Sequence, residues 1–366
     1  MLSFAILLPI LGAIAIGVFP NGGTASVAPR LKRVTGFLAI AIFVWSLYLL
    51  FQLNLTSTEI QLQEYMPWAP PIGLSYHLGT DGLSAPLLAL NGLLIWIAVL
   101  SSPDQIERPR LYYAMMLLVN AGIAGAFLSQ NLLLFVLFYE LELIPLYLLI
   151  AIWGGEKRGY AATKFLLYTA LSGLLILAAF FGMTWLSGSL DFEYESIATL
   201  GLPLRSQLIV LAVLLVGFGI KIPLVPLHTW LPDAYVEASP PVAILLGGIL
   251  AKLGTYGLLR FGLALFPETW SIVSPGLAII GTVSVIYGAL SAIAQQDIKR
   301  MVAYSSIGHM GYILVASAAG TPLSTLGAVA QMVSHGLILA LLFHLVGVVE
   351  DKVGTRELNV LNGLMN

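Results

Sequence analysis

Two lysines and a glutamate sit in stretches that offer them no water. Lys221 lies in LLVGFGIKIPLVPL, Lys252 in AILLGGILAKLGTYGLL and Glu140 in LLLFVLFYELELIPLYLL. An ionised side chain at bilayer depth costs about 2.5–3.5 kcal/mol on insertion scales, so such residues line a polar route or meet a partner charge. Desolvation lowers a lysine pKa and a nearby carboxylate raises it. A lysine held between those influences can load and release a proton when its partner moves. The chemistry these three residues predict is proton transfer through a low-dielectric interior.

Other ionisable residues are weaker candidates. Glu142 follows Glu140 by two positions, about 200° around a regular helix. The two therefore do not share a face or form a carboxylate dyad; one faces the interior and the other needs a partner or a proton. Lys164, in ATKFLLYT, competes with Lys221 as the expected partner of Glu140. His309 and His335 fall inside apolar runs and suit a relay, because imidazole titrates near neutrality. His344 reads as a packing residue. His228 and Asp233 read as surface or cap residues, His77 and Asp81 as a turn. Tyr304–Ser306 mark either a cytoplasmic proton entrance or a simple anchor. Histidine spacing fits no metal site, and the absence of cysteine excludes thiolate-held iron–sulfur clusters and disulfides in these 366 residues.

The elements that must position these groups are membrane helices. The apolar fraction is 59% and the charged fraction 9%, far from soluble proportions. A formal charge of −2 gives no electrostatic footprint for nucleic acid. Runs long enough to cross a ~30 Å core fall at 2–19, 34–53, 83–100, 111–128, 132–153, 163–187, 206–225, 241–266, 272–294, 301–319 and 323–349. The fold expected is an all-α bundle of about eleven transmembrane helices. The first run lacks a basic n-region and reads as a retained helix rather than a signal peptide. With the crossings numbered this way, twelve Lys and Arg fall on one side and only Arg205 and Arg260 on the other. By the positive-inside rule the first side is cytoplasmic, and the N-terminus is lumenal or periplasmic. Pro223 and Pro226 follow Lys221 closely, and proline removes a backbone donor, so the seventh helix should break near 221–226. HTWLPDAYVEAS beyond it reads as a short surface helix or a half-helix folded back inside. A broken helix with an ionisable residue at the break is a transporter feature.

FYELELIP, ATKFLLYT, KIPLVPLHTWLPDAYVEASPPV, ILAKLGTYGLLR, DIKRMVAYSSIGHMGYI and QMVSHGLILALLFHLVG resemble the antiporter-like membrane subunits of complex I. The likeness is strongest to the D-type subunits of the photosynthetic complex of cyanobacteria and chloroplasts, and it runs along essentially the whole chain. It implies fourteen helices with two inverted five-helix repeats. Here those would be three peripheral helices in 1–100, a first repeat in 111–266 and an incomplete second in 272–366. It also implies that Glu140, Lys221, Lys252, His309 and His335 form a charged line at mid-membrane, with Lys164 beside it. Function would be proton translocation driven by quinone reduction. This chain would bind no cofactor; partner subunits would hold the iron–sulfur clusters and quinone, with homologous membrane subunits, a peripheral arm and lipids as neighbours. The alternatives are a subunit of a multi-subunit cation/proton antiporter, a transport-inactive scaffold, and the carbon dioxide-uptake form of the cyanobacterial complex.

Overall fold

The computed structural model describes residues 1–18, 24–198 and 201–361. Phe19 at the end of the first apolar run, and positions 199–200 within the second long link, lie outside them, as do 362–366. The helices are α1 (Leu2–Gly17), α2 (Thr24–Phe51), α3 (Ser84–Ser101), α4 (Pro109–Leu128), α5 (Leu132–Leu141), α6 (Leu143–Trp153), α7 (Arg158–Ser187), α8 (Tyr194–Ala198), α9 (Leu204–Lys221) and α10 (Trp230–Glu237). After them come α11 (Pro240–Leu245), α12 (Ala251–Gly257), α13 (Pro267–Ile293), α14 (Ile298–Ala319) and α15 (Pro322–Val353). Two π-helical turns, Leu246–Leu250 and Leu258–Leu263, flank α12, making one continuous span of Pro240–Leu263. Among the described residues, nine helical segments are long and apolar enough to cross a membrane. The two remaining expected crossings are also helical. Leu2–Gly17 is short at 16 residues, and Ile298–Ala319 is long but carries more polar side chains.

Local chemistry sets the boundaries. Proline opens α4, α11, α13 and α15, where its missing N–H costs nothing. Asn131 caps α5 by accepting from the amides of Leu133 and Leu134, and Asp297 caps α14 through Lys299 and Arg300. The run 132–153 is interrupted at Glu142. Pro145 cannot donate to the carbonyl of Leu141 four residues back, and the helix restarts at Leu143.

The predicted break in the seventh crossing is present: α9 ends at Lys221 and helix resumes at Trp230. Backbone freed there is satisfied from within the protein. Trp230 Nε1 donates to Ile220 O (2.8 Å), Leu224 N to Gly219 O (3.0 Å), and Val225 N to Ser284 Oγ on α13 (3.1 Å). The segment 228–239 takes the second of its two expected forms, because Trp230, Leu231, Ala234 and Tyr235 are fully buried. His228 is buried too, edge-on to Tyr287 at 4.9 Å, which corrects its reading as a surface residue.

The link 54–82 holds a feature that hydropathy did not signal. Gln61–Ala69 (β1) and Leu74–Thr80 (β2) pair antiparallel on the N-terminal side of the bundle, turning through Gly73 at φ 73°. The span Pro240–Leu263 lies wholly inside the bundle, whereas α2 and α13 are each only 28% buried over their apolar windows. Apolar exposure on α13 and α15 is that of lipid- or partner-facing helices.

The tightest helix pair is α13 with α14. A Cβ on Gly288 would lie 2.5 Å from Gly308 N and 2.9 Å from its Cα, and one on Gly281 3.0 Å from Gly311 O. Small residues allow this approach. Gly288→Val should force the helices apart and cost about 1–3 kcal/mol, as overpacking does. Thermal denaturation of the purified protein would register it, with Gly276→Ala, whose Cβ meets open space, as the control that shows no overpacking loss.

Candidate functional site

The site is built where the two interrupted spans meet. Lys221, at the end of α9, donates to Glu142 Oε1. The side chains are 1% and 0% exposed, so this is a fully desolvated ion pair. The Lys221 ammonium also lies 4.5 Å from the centroid of the Tyr139 ring, a cation–π contact. Tyr139 Oη meets Ser172 Oγ (2.9 Å), which donates to Gly217 O (2.7 Å) and ties α5, α7 and α9 around the pair. Glu142 Oε2 is buried with no hydrogen-bond partner among the described residues. An orphaned carboxylate oxygen beside a buried ammonium is a place for a proton or a water.

This geometry corrects the expected pairing. The carboxylate that meets Lys221 is Glu142, and the Pro145 interruption places it in a turn between α5 and α6. The 200° argument assumed a regular helix through both glutamates. Glu140 instead packs against Gly173 of α7, where any side chain would collide with its carboxylate. Lys164 pairs with neither glutamate. It donates to Asp233 Oδ2 at 2.8 Å, and Asp233 Oδ1 also accepts from Arg300 (3.4 Å). Asp233 thus joins α7, α10 and α14, and with Glu237, Asp297, Arg300, Glu350 and Arg356 it lines a polar cavity of about 960 Å³.

A second cluster lies on the central span. Lys252 Nζ donates to Gly247 O (2.5 Å) and to His335 Nδ1 on α15 (3.0 Å). Its residue is 0% exposed, and it forms no ion pair among the described residues. The His335 ring lies 4.8 Å from that of His309 on α14, and His309 Nδ1 meets Gln331 Nε2 at 2.9 Å. His335 Nε2 is buried without a partner. The two clusters touch through the backbone. Gly254, two residues past Lys252, sits against Lys221, where a Cβ would come within 3.1 Å of the lysine Cβ. Lys252, His335 and His309 therefore form a connected series, and the backbone of the span that carries it packs against Lys221. His344 lies apart from it, hydrogen-bonded to Ser101 (3.0 Å).

On the N-terminal side the chain clamps its own loops. Arg260 Nη2 donates to Asp81 Oδ2 (2.6 Å) and lies over the rings of Tyr194 and Tyr256. Asp81 Oδ1 accepts from the amides of Leu83 and Ser84 and starts α3. Burial alone would raise the Asp81 pKa, but Arg260 and these amides outweigh it and hold the carboxyl below its ordinary value. A depressed folded-state pKa stabilises above the unfolded value, near 4, and the benefit is lost as pH falls through the lower folded value. Asp81→Asn leaves Arg260 buried without a counter-charge. It should lower the thermal midpoint at pH 7 and flatten the acid limb of the stability profile. Glu193 behaves alike: burial raises its pKa, yet bonds from His77 (2.7 Å), Ser75 and Asn131 (3.1 Å) bring it below normal. Asp81 and His77 are thus structural staples of the hairpin.

Residues 129–366 match the family model for the transmembrane subunits of NADH:quinone oxidoreductase and the Mrp antiporter. The chain belongs to this family. It is 44% identical to the NAD(P)H-quinone oxidoreductase chain 4 2 of Microcystis aeruginosa, over 99% of this chain and 65% of that protein. It is 43% identical to the chain 4 protein of Acaryochloris marina, over 99% of this chain and 68% of that one. The chain thus spans about two thirds of the length of these relatives. Among solved structures it resembles a chain of the respiratory complex I of Thermus thermophilus, with a TM-score of 0.86, 29% identity, and 98% and 73% coverage of the two chains. A chain of the Mrp complex of Dietzia sp. matches with a TM-score of 0.79 at 23% identity, over 97% of this chain and 38% of that one, a likeness of fold. The family membership and the apolar helices make this an integral membrane protein with the antiporter-like fold.

Proposed function

We propose that the chain is a proton-translocating membrane-arm subunit of an NAD(P)H- or ferredoxin-dependent quinone oxidoreductase. The observation that carries this reading is the fully buried Glu142–Lys221 pair at a broken helix, followed by Lys252, His335 and His309 within hydrogen-bond or ring contact. Buried ionisable groups are costly to a membrane protein and mark ion routes. A proton reaching the free Oε2 of Glu142 neutralises the carboxylate and removes the charge that holds the Lys221 ammonium. Lys221 then releases its proton toward Lys252 on the adjoining span, and the Lys252 ammonium passes one to His335 Nδ1. Glu140 and Lys164, expected in or beside the charged line, flank this series: Glu140 packs against Gly173 and Lys164 pairs with Asp233.

The relatives at 44% and 43% identity support placing the redox chemistry in partner subunits, which would hold the iron–sulfur clusters and quinone, with further antiporter-like subunits alongside. They are cyanobacterial, which supports a thylakoid membrane and a plastoquinone acceptor. The charge count supports a lumenal N-terminus. The repeat assignment, 111–266 and 272–366, follows from the same family likeness. A second reading, a subunit of a cation/proton antiporter, is favoured by the breadth of the family model. A carbon dioxide-uptake form of the complex is the variant within the first reading. Affinity purification through a tag on this chain separates the readings. Co-purifying iron–sulfur subunits and quinone-dependent acidification of vesicles are expected. A metal-free assembly that exchanges sodium for protons would reject the redox reading.

A further inference from the structure

Between α2 and α3 the bundle leaves a groove of about 440 Å³. Its walls are apolar, formed by Phe37, Ile40, Trp96 and Leu100. Its floor is opened by Gly36, at which a Cβ would meet no atom within 4 Å. One end is cationic. Lys32 donates to Ser102 O (2.6 Å) and to Asp104 (2.8 Å), so the one carboxylate at the mouth is already neutralised and the α2–α3 angle is fixed. Arg33, exposed on the next position, forms no hydrogen bond or salt bridge among the described residues; its charge also acts on Asp104, so Lys32, Arg33 and Asp104 together leave a net charge of +1 at this end. Arginine presents a planar fork of donors that matches phosphate.

We propose that this groove binds one anionic glycerophospholipid of the cytoplasmic leaflet. The phosphate sits on Arg33, and one acyl chain runs along Phe37, Ile40, Trp96 and Leu100 toward the bilayer centre. Charge complementarity selects this occupant. A partner helix would fill the apolar slot but leave the guanidinium unmatched, and a zwitterionic lipid would gain less from the uncompensated charge at the mouth. The exposed aromatic and aliphatic face of α2 makes the groove part of the lipid-facing surface, so the ligand arrives by lateral diffusion. Phe37 and Ile40 follow Arg33 by four and seven positions, one face of one helix, which places headgroup and chain contacts in line.

The test is native mass spectrometry of the purified, delipidated chain titrated with dioleoylphosphatidylglycerol or dioleoylphosphatidylcholine. One tight adduct is expected with the anionic lipid, with apparent affinity at least five-fold above the zwitterionic one. Arg33→Gln should remove that preference. Gly36→Leu, whose Cβ meets no atom within 4 Å, should fill the floor and weaken both lipids by five-fold or more. Lys352→Gln, an equal charge removal elsewhere on the cytoplasmic side, should change neither. Equal affinity for the two lipids, or a preference surviving Arg33→Gln, would show annular lipid only and overturn the assignment. Unchanged binding to Gly36→Leu would do so as well. None of these readouts depends on proton transport.

Discussion

Replacing Glu142 by Gln is expected to cost about 3–5 kcal/mol of stability and nearly all proton translocation, because removing one partner strands the other charge in the interior. The figure applies here because both side chains are essentially unexposed. Glu140→Gln is expected to be milder in stability, by at least 2 kcal/mol, since Glu140 is only partly buried and Lys221 donates elsewhere. The double replacement Glu142→Leu with Lys221→Leu should recover most of the lost stability, as apolar substitutes for buried ion pairs often do, yet recover no transport. Thermal unfolding of the solubilised complex and vesicle acidification read the two properties separately. Equal losses of stability for the two single glutamate changes would mean that the pairing is wrong.

The second large effect has the opposite sign in stability. Lys252→Met should abolish proton translocation while leaving the protein as stable as before or more so, by about 1–3 kcal/mol. Lys252 is wholly buried, and its partners are a carbonyl and an imidazole rather than a carboxylate. Its charge is therefore uncompensated, and methionine fills similar volume at no desolvation cost. A residue that lowers stability and is nonetheless kept is expected where function needs it. The flanking π-helical turns at Leu246–Leu250 and Leu258–Leu263 fit this view, since such bulges concentrate at functional sites. Lys252→Met that unfolds more readily than wild type would contradict the account.

Much of this architecture was legible in the residues because the bilayer imposes length and polarity so strongly. Runs of apolar residues fixed the helices, and Pro223 with Pro226 located the break after Lys221. Proline chemistry also bears on what the helical-wheel argument left open. Pro145 interrupts the helix at Glu142, so a wheel drawn through both glutamates does not describe their directions. That Glu142 is the one to meet Lys221, 79 positions away, is set by helix packing. The β-hairpin escaped because hydropathy is silent about a polar link whose order comes from tertiary anchors such as Glu193 and Asp81. The contact of Lys252 with His335, 83 positions apart, is set by helix packing, which no local pattern encodes. The separation of Lys164 from the glutamates follows from Asp233, brought within reach only once α10 folds inward.

The most direct measurement is the number of protons translocated per electron by the intact complex carrying Lys221→Met, in sealed vesicles with quinone turnover followed in parallel. A complex that assembles and reduces quinone but moves fewer protons per electron than wild type is the predicted result. An unchanged ratio would show that the buried ammonium at 221 is not on the route.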